Sequence, residues 1–187
     1  MKLKDLIPQG ILPDPRPDAI ALLRADHDKV EDLFISFDEI KYGRADSEKM
    51  RLVAELCREF LAHAAIEEEI FYPAVRAEIA DDDLMNEARV EHEGAKRLVA
   101  ELQAMDPADE MLNAKMHVLC AYIKHHVREE EEDIFRKARE SGLDLFALAG
   151  RMEKRKRQVL SGKAPRKRRA TVARKSRSHA SESRLAR

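Results

Sequence analysis

Two short stretches of this chain carry residues that do chemistry together. His63 and Glu67 stand four residues apart, and His126 and Glu130 repeat that spacing sixty-three residues later. On a helix four residues make about one turn, so each imidazole and its carboxylate leave the same face, roughly 6 Å apart along the axis. Leu56, Phe60 and Ile70 step along that face at three- and four-residue intervals, which turns His63 and Glu67 toward a core. Charge buried without a partner is costly, and a metal ion is the partner that both groups would share.

The repeat extends beyond the pair. The same offset lays Cys120 on Cys57 and Phe135 on Tyr72. Each copy is also preceded by a lone histidine between acids, Asp26-His27-Asp28 in one and Glu91-His92-Glu93 in the other. The order His, then His-x3-Glu, twice over, reads as a duplicated helical hairpin. In a Glu-rich chain one such pair is a weak signal, whereas two in register are a strong one. His27, His63, Glu67, His92, His126 and Glu130 are therefore the candidate metal ligands. Four imidazoles and two bridging carboxylates suit a pair of first-row ions, iron or manganese with zinc admitted, rather than calcium or magnesium. Ferritin-like di-iron bundles spell their sites Glu-x-x-His at i, i+3, which is not the spelling here. His125 lies about 100° round the helix from His126 and is expected to face a neighbour or solvent. His117 is placed on the outer face and His179 in the tail. Glu68, Glu69, Glu131 and Glu132 read as a solvated acidic face. Tyr122, one turn before His126, either covers the site or packs in the core.

The elements that would position these groups follow from periodicity. A first helix over about 18–41 opens at Asp18, ends at Gly43 and turns Ile20, Leu23, His27, Val30, Phe34 and Phe37 inward. A second runs from about Ser47 to Ile79, with Pro73 expected to kink it after the ligand residues. A third, over about 82–105 behind the cap Asp81-Asp82-Asp83, presents Leu84, Ala88, His92, Ala95, Val99 and Leu102. A fourth, over about 107–140, presents Leu112, Leu119, Ile123, His126 and Glu130. A short amphipathic helix from Leu143 to about Val159 offers Leu145, Leu148 and Met152 for packing. The prolines at 8, 13, 15 and 17 make residues 1–17 an extended arm. Lys, Arg, Ala and Ser dominate 161–187, which reads as a disordered tail. The expected architecture is an all-α, antiparallel up-down four-helix bundle over 18–160 between that arm and that tail.

Composition narrows the function classes. Among 187 residues 38% are charged and 5% aromatic, with no Trp. The formal net charge of -1 conceals a divide: residues 151–187 hold fifteen Lys/Arg and two Glu, a formal +13, against -14 for the rest. Such a segment is suited to nucleic acid or another polyanion, bound through phosphate without reading sequence. No apolar run approaches a membrane span, and no signal-type apolar core follows Met1-Lys2-Leu3-Lys4-Asp5. With two helical cysteines and no disulfide framework, a cytoplasmic location is expected. There is no Ser/His/Asp or Cys/His arrangement and no glycine-rich phosphate loop.

The order of ligands on four antiparallel helices, with the Glu-Glu and Phe-Tyr-Pro that follow His63 and Glu67, resembles the hemerythrin-like HHE cation-binding family over about residues 18–140. Carried over by position, the resemblance implies the same six ligands: His27, His63, Glu67, His92, His126 and Glu130. It also implies two non-haem iron ions with a bridging oxo or hydroxo species, and dioxygen, peroxide or nitric oxide as the small ligand. Respiratory hemerythrins place a further His one turn after the third-helix His, where this chain has Lys96, and an Asp five after the fourth-helix His, where this chain has a Glu four after. Oxygen or iron sensing and reaction with peroxide thus stand beside reversible oxygen binding. A metal-binding or sensing role is favoured over that of a dedicated enzyme.

Overall fold

A computed structural model of the chain describes residues 16–43, 46–79 and 81–162. The expected N-terminal arm and basic tail lie outside those residues, apart from their inner ends. Every regular element among the described residues is helical. Helix α1 is Ala19–Ile40, with the Asp18 carboxylate accepting the Ala21 N–H at 2.8 Å. That contact satisfies one of the N–H groups a helix start leaves without an intrahelical partner. Helix α2 is Asp46–Ile66, α3 is Tyr72–Glu78, and α4 is Asp82–Gln103, capped by Asp81. Helix α5 is Leu112–Glu129, α6 is Phe135–Glu140, and α7 is Leu145–Leu160, capped by Asp144.

Helix α5 starts five residues later than the sequence suggests. Asp106 accepts the Ala108 N–H at 2.9 Å and Asp109 accepts the Met111 N–H at 2.8 Å. Such local bonds offer the backbone turns in place of helix.

A larger departure lies at the joints α2–α3 and α5–α6, each bridged by a π-helical turn, Glu67–Phe71 and Glu130–Ile134. Tyr72 N–H donates to the Glu67 carbonyl and Phe135 N–H to the Glu130 carbonyl, five residues back in both cases. Pro73 is not the cause. The second copy has Arg136 in that place and makes the same turn. The helix continues through Pro73, which sits in the first turn of α3, where a missing N–H costs little. A π turn widens the helical step. The inner face therefore passes from Glu67 to Tyr72 and from Glu130 to Phe135. Ile70, expected inside, is only half-buried, while Phe71 and Tyr72 are buried.

Helices α1, α2, α4 and α5 close an antiparallel up-down bundle, and the expected short C-terminal helix is a sixteen-residue fifth member, packed on α1 and α2. Two apolar clusters form the core. One contains Val30, Phe34, Phe60, Ala95, Val99 and Ile123. The other contains Leu23, Ile66, Ala88, Ile134, Phe135 and, from α7, Leu148 and Met152. Each candidate histidine lies between the two clusters along its own helix: His27 between Leu23 and Val30, His63 between Phe60 and Ile66, His92 between Ala88 and Ala95, His126 between Ile123 and Ile134. The polar layer is thus enclosed by apolar packing above and below.

Candidate metal centre

All six sequence-derived candidates are buried and meet in that layer. His27, His63, Glu67 and Glu130 offer donor atoms within 4.8 Å of one another; Glu67, His92 and His126 form a second such group. Glu67 belongs to both. The Nε2 atoms face inward: His63 Nε2 is 3.0 Å and His92 Nε2 3.3 Å from Glu67 Oε2. His27 Nε2 is 3.2 Å from Glu130 Oε2, and the Nε2 atoms of His92 and His126 are 3.0 Å apart. Donors bonded to one ion at about 2.0–2.2 Å have neighbours at this kind of separation. Both oxygens of Glu67, both of Glu130 and His27 Nε2 are buried without a hydrogen bond. Polar atoms left so in a protein interior are costly. A cation between the two groups satisfies all five, so the donor set fits a metal.

Three of the four outward Nδ1 atoms are held by hydrogen bonds to a second layer of carboxylates. His27 Nδ1 meets Glu131 at 2.9 Å, His92 Nδ1 meets Glu68 at 2.9 Å, and His126 Nδ1 meets Glu91 at 2.8 Å. His63 Nδ1 stands 3.5 Å from Asp26. An Nδ1–H pointed at a carboxylate fixes the tautomer with the Nε2 lone pair toward the centre. Each outer carboxylate is gripped in turn by a basic side chain. Arg24 lies 3.1 Å from Glu131, Lys96 pairs with Glu68, Lys156 of α7 pairs with Asp26, and His125 is 3.4 Å from Glu91.

The sequence pattern places Glu68 and Glu131 on a solvated face, and the structure corrects this. Both are partly buried on histidines of neighbouring helices, while Glu69 and Glu132 are exposed as expected. The signal was present in the acid that follows each candidate Glu and the acid that precedes each lone His. What one helix could not show is that these acids reach histidines on another. Lys96 is likewise the clamp on Glu68. Tyr122 covers no site: it is half exposed and packs across Gly94. The tyrosine at the centre is Tyr72, whose hydroxyl is 3.3 Å from His126 Nε2. His125 and His117 are exposed, as expected.

Burial and charge set the protonation of the metal-free site. Burial raises the pKa of both central carboxyl groups. For Glu67 the charge of the neighbouring His63 outweighs it and holds the group below the usual carboxylate range. Glu130 is pushed up to about 7, by burial and by the Glu67 charge. Burial disfavours the His63 imidazolium, yet Glu67 and Asp26 overcome it and raise His63 to about 10. Burial dominates at His92 and lowers it. The Tyr72 phenol is raised well above its ordinary value, by burial and then by the Glu130 and Glu67 charges, so it keeps its proton.

A family model described as the hemerythrin HHE cation binding domain matches residues 18–138. The chain belongs to the hemerythrin HHE cation-binding family. Its fold resembles the crystal structure of a hemerythrin HHE cation binding domain-containing protein from Mycobacterium kansasii, with a TM-score of 0.68. That match covers 79% of this chain and 90% of the other, at 22% identity, and speaks to fold. A stretch of 114 residues is 29% identical to a Nostoc protein named DNA nickase. The stretch covers 61% of this HHE chain and 31% of that protein, so the chain spans about a third of its length.

Two cavities approach the HHE centre. One, of about 440 Å³, lies between α1 and α5; His27 and Glu131 are in its wall with Val30, Phe34 and Ile123. The other, of about 420 Å³, is bounded by Glu68, Tyr72, Met85 and Lys96. No described helix is long and apolar enough to cross a membrane.

Proposed function

We propose that the chain is a cytoplasmic non-haem di-iron protein that binds or senses oxygen, iron or redox state, with His27, His63, Glu67, His92, His126 and Glu130 as ligands. The observation that carries this reading is the pair of buried donor groups sharing Glu67, with five of their buried polar atoms left without a hydrogen bond. Reduced iron with open positions supplies binding of dioxygen, peroxide or nitric oxide. The chain's residues divide the remaining work. The Asp26, Glu68, Glu91 and Glu131 carboxylates orient the imidazoles. Phe135 stacks on His27, ring centroids 5.8 Å apart, and fixes the plane of that imidazole. The group formed by His92, His126 and Glu67 has one protein donor fewer and has the Tyr72 hydroxyl beside it. A small ligand therefore belongs on that side, where the phenol O–H donates to it. Purified or anaerobically reconstituted protein is expected to hold about two irons per chain and to show an oxygen-bridged charge-transfer band. Iron that stays below about one per chain overturns the reading. Peroxide consumption is the alternative use of the same centre: oxygen release on adding peroxide, abolished by His63→Ala, would establish it.

The second reading is nucleic-acid contact through 151–187. Helix α7 turns Arg155 onto Glu69 at 2.7 Å and Lys156 onto Asp26, but leaves Arg151, Lys154 and Arg157 exposed. The name of the Nostoc protein points the same way. The full chain is expected to bind duplex DNA in a salt-dependent manner that is reduced on truncation after Gly162. Equal retention of both on a polyanion column at low salt removes it.

A further inference from the structure

The four outer carboxylates are not held alike. Arg24, Lys96 and Lys156 are obligate cations with no lone pair to offer. Glu91 is met instead by His125, a side chain that ligates metals. His125 Nε2 lies 3.4 Å from Glu91 Oε1 and 3.2 Å from Glu129 Oε1. One ligand atom from each of the three residues falls within 4.8 Å of the others. His125 and Glu129 are again His-x3-Glu on one helical face, but on the outer side of α5. The imidazole is half exposed, and both carboxylates are partly exposed. A cation arriving from solvent therefore keeps several of its waters, and the desolvation that burdens a buried charge is small here.

We propose that Glu91, His125 and Glu129 form a second, mononuclear site for a divalent first-row cation at the surface of the bundle. One imidazole nitrogen and two carboxylate oxygens suit zinc, manganese or ferrous iron and disfavour calcium and magnesium, which take oxygen ligands. Glu91 joins this site to the buried one. Its Oε1 faces His125 while its Oε2 accepts from His126 Nδ1 at 2.8 Å. A cation held here stands one carboxylate from a candidate ligand of the centre.

The test is a Zn²⁺ titration of the full chain, with its buried centre filled as isolated, by calorimetry and metal counting. Wild type is expected to take up one more Zn²⁺ than His125→Gln and Glu129→Gln. Binding at that site should be weakened tenfold or more in each variant, at least what the loss of a supporting outer-layer group costs. Glu129→Gln leaves Glu91, His125 and His126 in place, so its buried metal content and thermal melting should match wild type. Equal Zn²⁺ uptake by all three proteins, with folding intact, overturns the site and leaves an ordinary surface ion pair.

Discussion

The two copies of the hairpin make nearly the same site, and the places where they differ are instructive. In each copy the acid before the lone histidine faces the Nδ1 atom of that copy's paired histidine: Asp26 faces His63 and Glu91 holds His126. In each, the acid after the central Glu crosses to the lone histidine of the other copy. Glu68 takes His92 and Glu131 takes His27. The two π turns begin at the matching residues, Glu67 and Glu130. Three features break the pattern. Glu67 joins both donor groups but Glu130 only one. Tyr72 brings a hydroxyl to one side where Phe135 brings a bare ring to the other. Asp26 is clamped by Lys156 from outside the duplication, whereas Glu91 meets His125 from its own copy. Duplication gave a scaffold; the unequal substitutions leave one group with four protein donors and the other with three.

Glu67→Ala and Glu130→Ala test that inequality most severely. Removing Glu67 takes a donor from both groups and should abolish binding of both ions. Removing Glu130 should spare one, as counted by elemental analysis of purified protein. Equal losses would restore the symmetry. Glu68→Gln and Glu131→Gln are mates across the copies and should behave alike, each weakening metal affinity about 10–100-fold in chelator competition. A large difference between them would mean the two copies carry unequal shares of the support. Tyr72→Phe should keep metal content and fold while speeding ligand dissociation about tenfold or more, the worth of a hydrogen bond to a charged group. Stopped-flow release of azide or nitric oxide would read that change. An unaltered rate would place the ligand on the Phe135 side.

The smallest effect concerns protons. His63 is raised to about 10 and Glu130 to about 7 in the metal-free protein. Near pH 7 His63 therefore carries a proton, and Glu130 holds one more readily than an ordinary carboxyl group. Ligation requires the bare lone pairs, so loading should release about one to two protons per chain. Metal affinity should rise with pH up to the range of the higher value. A pH-indicator assay during loading measures the release; proton uptake would contradict the assignment of these groups as ligands.

Much of this was legible from spacing alone. The repeated His-x3-Glu, the lone histidines and the apolar stripes named the six converging residues and the bundle around them, because helical periodicity fixes which side chains share a face. The stripe failed at Ile70, because a π turn changes the step and nothing in residue type announces it. Pro73 looked like the cause of a bend and was a bystander. The start of α5 was missed because the Asp106 and Asp109 side chains compete with the helix for its N–H groups.

The sequence by itself determined the six inward donors and most of the apolar stripe around them, since side-chain periodicity and donor type are local properties. Only the tertiary structure decided how those donors divide, with Glu67 common to both groups and Glu130 not. It alone turned Glu68 and Glu131 from surface acids into supports, made Tyr72 rather than Tyr122 the phenol at the centre, and brought α7 onto the bundle to hold Asp26. Each of those facts is a distance between side chains on different helices, and such distances are set by packing rather than by spacing along one helix.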